Sequence, residues 1–239
     1  ALYADVHRRY TPPMMEAPLS RSLGLARPAA FDVVAIGASL GGVEALRTVL
    51  GLLPADFPAS IVIVQHRSRK HQSYLHFLLN RTSTLPIVEA TASARLQHGC
   101  VYLAPPNQHL RVNHNGQLIL SGPDAPHVNF TRPAVDVLFT SVAEAFGQRA
   151  IGVILTGMQR DGATGIERIK DRGGRVLVQD PRTARAPGMP HAALSTGCVD
   201  FALSLPELAA ALTAFVMVPG AAELLRSKSP LRPESPLMF

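Results

Sequence analysis

The sequence predicts an α/β protein with a doubly wound, mainly parallel sheet covered by helices on both faces, a Rossmann-like architecture. Three observations favour this fold class. Short continuous apolar runs, typical of strands that are buried on both faces, recur along the chain. Helical apolar periods follow several of these runs. Two short apolar stretches around Asn113–Gly116 predict an antiparallel hairpin inserted into the parallel pattern.

The predicted elements alternate between strand and helix along the chain. The apolar runs that predict strands lie at 31–37, 60–66, 151–156, 174–179 and 198–203. The helical periods lie at 42–53, 72–80, 133–146, 163–172 and 206–217, and the hairpin covers 109–120. Pro133 suits a first helical turn, where no N–H is needed from it. The sequence shows neither an internal repeat nor a second domain.

Composition predicts one domain between two tails. Of the 239 residues, 47% are apolar and 17% are charged, which allows a sizeable core and excludes wholesale disorder. We expect a domain over 31–218, with tails over 1–30 and 219–239. No apolar run is long enough to predict a membrane span, and no secretory signal pattern is visible. Two cysteines do not make a disulfide framework, so a reducing, cytoplasmic setting fits best.

The net charge of +6 is spread along the chain rather than gathered in one patch. There is no Trp, and aromatic residues make up 5% of the chain, so platforms for stacking on bases are scarce. Nucleic-acid binding is therefore disfavoured. A mild positive field suits an acidic protein partner equally well.

The first predicted strand runs into the segment Gly37–Gly42, which contains the spacing Gly-x-Ser-x-Gly around Ser39. This spacing is that of a nucleophile elbow, a tight turn that exposes a serine hydroxyl beside the amide donors of a helix N-terminus. Two other interpretations compete with it: a dinucleotide-binding turn, or a serine that only caps the helix. The Gly-x-Gly-x-x-Gly fingerprint and the P-loop pattern are both missing.

His66 and Asp161 follow two further predicted strands. At a strand end, His66 is placed to act as a general base, although alone it reads as an ordinary loop histidine. Asp161 is placed to orient an imidazole, although alone it reads as a helix cap. Because the carboxyl ends of parallel strands share one edge of a sheet, Ser39, His66 and Asp161 together suggest a triad. No histidine spacing indicates a metal site.

At these residues the chain resembles the catalytic domain of the chemotaxis protein-glutamate methylesterases, the CheB family. The resemblance covers about residues 31–217 and rests on separated blocks in matching order. These blocks are Val34–Ser39 with Gly41-Gly42 and Glu44–Leu46, Val64–His66, Tyr102–Pro106 with His109-Leu110, Arg132-Pro133 with Val135–Phe139, Leu155–Met158, Asp161–Ala163 and Gly188–Pro190.

The resemblance implies a serine hydrolase with Ser39 as nucleophile, His66 as base and Asp161 as the residue that orients the base. The implied substrate is a glutamate γ-methyl ester on the cytoplasmic helices of a chemoreceptor, with methanol as product, and related enzymes also deamidate receptor glutamines. No cofactor and no metal are implied. Residues expected near the oxyanion or substrate are Leu40, Gly41, Met158 and Met189.

The chain departs from the family pattern at several places near the implied site. Leu40 stands where a hydroxyl residue is common, and Gln159-Arg160 follows Met158 where Gly is common. Arg67-Ser68 follows the histidine, and Thr131–Ala134 replaces a more usual His-Arg-Pro-Ser. The family usually carries a receiver domain before the catalytic domain, so a separate regulatory receiver protein is an expected partner. A homologue that docks receptors without turnover remains the alternative to an enzyme.

Overall fold

The computed structural model describes residues 31–67, 75–122 and 124–224. Within these ranges the strands are β1 (Val33–Ala38), β2 (Ser60–Gln65), β3 (Ile87–Glu89), β4 (Val101–Leu103), β5 (Leu110–Val112), β6 (Leu118–Leu120), β7 (Ala150–Ile154), β8 (Arg175–Gln179) and β9 (Phe201–Leu203). The α-helices of the same ranges are α1 (Gly42–Leu52), α2 (Leu75–Asn80), α3 (Val135–Phe146), α4 (Ala163–Asp171), α5 (Gly188–Ser195), α6 (Leu205–Met217) and α7 (Ala221–Leu224).

Seven of these strands form one parallel sheet in the order β3-β4-β2-β1-β7-β8-β9. From the central strand β1 the chain moves outward to β2 and then to the edge strand β3, comes back to β4 between these two, and continues to β7 on the other side of β1. This reversal is the topological switch point of a doubly wound sheet, and ligands bind there, outside the carboxyl ends of the strands. The fold class predicted from the sequence is confirmed.

Helices cover both faces of the sheet because its central strands are apolar on both sides. In β1, Val34 and Ile36 join the core under α1, α2, α6 and α7. Val33 and Ala35 point the other way, into the core under α3, α4, α5 and the hairpin. The hairpin predicted around Asn113–Gly116 is present as the antiparallel pair β5–β6.

Several element boundaries differ from the prediction. The sequence predicted no strand at β3 or β4 and no helix at α5. The strand predicted over 198–203 is shorter in the structure, where only β9 is a strand. Of the helix predicted over 72–80, α2 is present and residues 72–74 lie outside the described residues. The tail predicted from residue 219 instead begins with α7, whose Ala221 and Ala222 are buried in the core. The predicted tail over 1–30 lies outside the described residues.

Candidate active site

Ser39 and His66 lie side by side at the carboxyl edge of the sheet. In the parallel register of β1 and β2, Ala38 pairs with Gln65, so the next residues of the two strands, Ser39 and His66, are neighbours. The backbone N–H of His66 donates to Ala38 at 2.9 Å, and that of Ser39 donates to Thr156 at 3.0 Å. Hydrogen bonding thus continues past the ends of the strands and fixes both positions.

Asp161 reaches His66 from the loop that follows β7. Its Oδ2 lies 2.8 Å from Nε2 of His66. The carboxylate is buried, whereas 14% of the His66 side chain is exposed. Burial alone would raise the pKa of Asp161, but hydrogen bonds from His66, the Val135 N–H and Asn129 hold that pKa below its usual value. Asp161 is therefore an anion at neutral pH, and Nε2 of His66 carries the hydrogen that it accepts.

The N-terminus of α3 holds the Asp161 carboxylate in place. The backbone N–H groups of Val135 and Asp136 donate to it at 2.7 and 3.1 Å. Ala134, the residue that precedes α3, offers no side-chain cap, so Asp161 caps this helix from a distant part of the chain. The helix dipole favours negative charge at this end, which adds to the stabilisation of the anion.

Asp136 caps α4 in return. Its Oδ1 accepts the Gly165 N–H at 2.7 Å, near the start of α4. Asn129 links the two carboxylates, because its Nδ2 donates to Asp136 at 2.5 Å and to Asp161 at 3.0 Å. Burial, together with the nearby Asp161 charge, raises the pKa of Asp136.

Sequence reasoning did not find this support for Asp161. Asn129, Thr131 and Asp136 lie 32, 30 and 25 residues before Asp161 in the chain. The Thr131 hydroxyl donates to Asp161 at 3.1 Å. Only the packing of α3 against α4 brings these residues together. Polar side chains clustered just before Pro133 were the single available signal.

The turn after β1 presents the Ser39 side chain. The Ser39 carbonyl accepts hydrogen bonds from the Gly42 N–H and from Nε2 of Gln65, each at 2.8 Å. Gly41 has φ 83°, the left-handed region that favours glycine. A Cβ on Gly42 would lie 2.7 Å from the Cβ of Ala38 and 2.0 Å from Oε1 of Gln65, so this tight turn favours a residue without a side chain there. Within the described residues, neither the Ser39 hydroxyl nor Nδ1 of His66 makes a hydrogen bond.

Backbone donors surround Ser39. Across the described ranges, the N–H groups of Leu40, Gly41 and Met158 make no hydrogen bond, so they are available to an oxyanion. The Gly157 N–H is already engaged, donating to the Ala186 carbonyl at 2.8 Å.

Met189, expected in the substrate vicinity, lies next to Ser39. It is buried, and its N–H donates to the Gly157 carbonyl at 2.8 Å. A Cβ on Gly157 would lie 2.1 Å from Met189 Sδ and 2.8 Å from Ser39 Cβ. Met189 and Ser39 therefore lie on the same side of Gly157, and the absence of a Gly157 side chain lets Met189 pack close to the serine.

Three of the residues that depart from the family pattern lie on the surface of this edge. Leu40, Gln159 and Arg160 are exposed. Arg67 is half-buried; it donates to the Ala104 carbonyl at 2.6 Å and lies 3.7 Å from Glu89. Ser68 lies outside the described residues.

Neither a metal centre nor a membrane helix is found in the part of the chain that the structure describes. No three His, Cys, Asp or Glu side chains there are grouped to hold a metal ion. No helix there is long and apolar enough to cross a bilayer. Cys100 and Cys198 are both free thiols.

A serine, a histidine and a buried aspartate at the carboxyl edge of a parallel α/β sheet form the arrangement typical of serine hydrolases. Comparison with known families agrees with this class. The family model described as "CheB methylesterase" matches residues 34–212. The chain belongs to the CheB methylesterase family, as the sequence motifs had predicted.

Relatives and a solved structure are similar over most of the described chain. A Leptospira interrogans relative is 40% identical over 75% of this chain and 92% of its own length. The "Protein-glutamate methylesterase/protein-glutamine glutaminase 2" of Anaeromyxobacter dehalogenans is 45% identical over 80% of this chain and 55% of its own. The "Protein-glutamate methylesterase FrzG" of Myxococcus xanthus is 41% identical over 80% and 57%. The Thermotoga maritima CheB methylesterase catalytic domain matches with a TM-score of 0.74 and 35% identity, over 78% of this chain and 99% of that one.

Proposed function

We propose that this protein is a protein-glutamate methylesterase that hydrolyses glutamate γ-methyl esters on chemoreceptor helices and releases methanol. The single observation that carries the proposal is the pairing of His66 with the buried Asp161 anion, beside Ser39 at the switch point of the sheet. Family membership supplies the substrate class. The same site would hydrolyse a glutamine amide with release of ammonia, as the names of several relatives indicate for those proteins.

The reaction begins with attack of Ser39 Oγ on the ester carbonyl. Because Nε2 of His66 is engaged by Asp161, its Nδ1 is the atom that takes the serine proton. The tetrahedral intermediate then loses methoxide, which receives that proton and leaves as methanol. Asp161 stays ionised and stabilises the imidazolium that forms in between.

The second half of the reaction uses the same groups. Water attacks the glutamyl ester on Ser39, His66 accepts a proton from the water, and the serine leaves with that proton restored. We propose that the N–H groups of Leu40 and Met158, which make no hydrogen bond with any described residue, hold the oxyanion in both halves. The free carboxyl group of glutamate and a regenerated Ser39 are the products.

The proposed partners follow from this activity. The substrate is the cytoplasmic helix bundle of a methyl-accepting receptor, and we propose that the enzyme works in the cytoplasm on that bundle. The net charge of +6 suits an acidic protein surface of this kind. A receiver protein that regulates the esterase is a further proposed partner, and neither a nucleic acid nor a cofactor is part of the proposal.

Methanol release from methylated receptors tests the function. Membranes carrying receptors with isotope-labelled methyl groups are mixed with the protein, and volatile label is measured over time. We expect label to appear as methanol at a rate proportional to protein concentration. A parallel assay tests deamidation with membranes whose receptors were never methylated. We expect the protein to release ammonia from these receptors. A well-folded protein that releases neither product from receptors of its own organism would refute the proposal.

A further inference from the structure

Exposed apolar side chains border the proposed active site. Phe130 is 92% exposed, Met158 60% and Leu40 47%. Leu40 directly follows Ser39, and Met158 follows Gly157, whose Cα packs against the serine. Large apolar side chains exposed around a site are a frequent sign of a contact with another macromolecule.

Phe130 lies at the tip of a turn that is fixed on Asp161. The side chains of its two neighbours, Asn129 and Thr131, both donate hydrogen bonds to that carboxylate. Asn129 and Phe130 have φ values of 50° and 60°. Asparagine tolerates this left-handed region, but a bulky aromatic residue is rarely found there. Such conformations persist where the surroundings impose them and are concentrated at functional sites, so the exposed ring of Phe130 is a candidate contact.

Two arginines add positive charge to the same edge. A Cβ on Gly41 would lie 2.8 Å from Cβ and 3.1 Å from Cδ of Arg185, so this side chain crosses the turn after Ser39. Arg160 directly precedes Asp161. Both are exposed, and neither makes a hydrogen bond or ion pair through its side chain with any described residue. The nearby Arg182, by contrast, is paired with Asp180 at 2.6 Å.

From this placement we infer that Phe130 and Arg185 determine which glutamates are chosen on the substrate helix. The inference rests on the proposed function. Residues three or four positions from a helical glutamyl ester lie on the same face, about 5–6 Å away. Phe130 contacts an apolar side chain one turn from the ester, and Arg185 binds a carboxylate one turn away on the other side. The occupant is therefore an acidic amphipathic α-helix, complementary in charge to the two arginines.

Synthetic helical peptides test the Phe130 assignment. Each peptide carries one glutamate γ-methyl ester in an otherwise constant host, with Leu or Ala at i−4 or i+4, and methanol release gives kcat/KM. We expect the wild-type protein to prefer Leu at one of these positions by about tenfold, the effect of one buried apolar contact. Phe130→Asn, which keeps a residue that tolerates the left-handed backbone, should abolish this preference. Leu52→Asn, at an exposed leucine on the opposite edge, is the matched control and should retain it.

The Arg185 assignment is tested with peptides that carry Glu or Gln one turn away on the side opposite the preferred Leu position. We expect a preference for Glu of about three- to tenfold that weakens with salt, as for a partly exposed ion pair. Arg185→Gln should abolish the preference for Glu, and Arg168→Gln, an exposed arginine on α4, should keep it.

The outcomes separate failure of the inference from failure of the function. If wild-type protein hydrolyses all peptides equally, or if a variant lowers kcat/KM for every peptide by the same factor, the corresponding residue is not a specificity determinant. Hydrolysis of receptor membranes but of no peptide would also overturn the inference, because recognition would then need more than one helix. Failure on both peptides and membranes would refute the proposed function itself.

Discussion

Asp161 accepts hydrogen bonds from His66, from two side chains and from two backbone N–H groups of α3. These donors keep a buried carboxylate charged, although burial opposes ionisation. Asp136, only a short distance away across Asn129, accepts fewer hydrogen bonds and has a raised pKa. At the residue scale, Asn129 separates two like charges because both of its amide hydrogens are donated, one to each carboxylate.

Asn129→Asp tests this separation through the pH dependence of stability. The variant places a third carboxyl group between two others, so the cluster retains a proton and its folded pKa lies above the unfolded value of about 4. A carboxyl group with a raised folded pKa contributes stability that is present below the unfolded pKa and is lost as pH rises through the folded one. We expect the urea concentration at the unfolding midpoint of the variant to decrease as the pH is raised from 5 to 8.

Asn129→Gly is the matched control, because glycine also accepts the left-handed backbone and loses the same hydrogen bonds. It should lose about 1–3 kcal/mol of unfolding free energy without the extra fall at pH 8. Equal losses for both variants at both pH values would show that Asn129 fills space but does not separate charge.

At the element scale, close packing between the sheet and the helices depends on glycine residues, which have no side chain. Gly152 lies in β7, and a Cβ there would lie 2.6 Å from Cδ1 of Ile169 on α4. The loop that carries Asp161 joins these two elements, so their spacing also sets the position of the carboxylate relative to His66.

We expect Gly152→Ala to destabilise the protein by about 1–3 kcal/mol, the usual cost of overpacking. Ile169→Val removes Cδ1, the atom that the new methyl group meets, and should recover part of this loss in the double variant. The measurement is a double-mutant cycle on the urea midpoints of the four proteins. Strict additivity of the two single changes would contradict the packing argument.

The sequence could predict the elements whose residues carry a sustained pattern. β1, β2, β7 and β8 are continuous apolar runs, and all of them lie in the interior of the sheet. The strand β3 was missed because it is a three-residue edge strand with one buried residue. The helix α5 was missed because Gly188 and Pro190 resemble a turn, although proline is tolerated in the first turn of a helix.

The sequence likewise predicted some features of the site and missed others. Ser39 and His66 were predicted to lie together because parallel strands end on one edge, and this local rule was sufficient. The helix-capping exchange between Asp161 and Asp136 was not predicted, because it depends on how α3 packs against α4. The sequence also could not show that the N–H groups of Leu40 and Met158 make no hydrogen bond with any described residue, or that the Gly157 N–H is already used.

At the scale of the whole molecule, the packed chain extends past the boundary predicted at residue 218. Ala221 and Ala222 belong to the core beneath α6, and Glu223 lies 3.6 Å from Arg175. We expect a chain that ends at Val218 to melt several degrees below one that ends at Leu224, because about 1 kcal/mol shifts the melting temperature by a few degrees at this size. Calorimetry of the two truncated proteins measures this difference, and identical melting temperatures would contradict the assigned core.

The proposed activity depends on Ser39 as the nucleophile of an esterase. The most direct measurement is kcat/KM for methanol release by wild-type protein and by Ser39→Ala, both checked for equal melting temperature. We predict a loss of at least about 10³-fold in the variant, as expected when a catalytic nucleophile is removed. Ser195→Ala, at an exposed serine on α5, should keep the wild-type rate. Methanol release by Ser39→Ala at the wild-type rate would show that Ser39 is not the nucleophile.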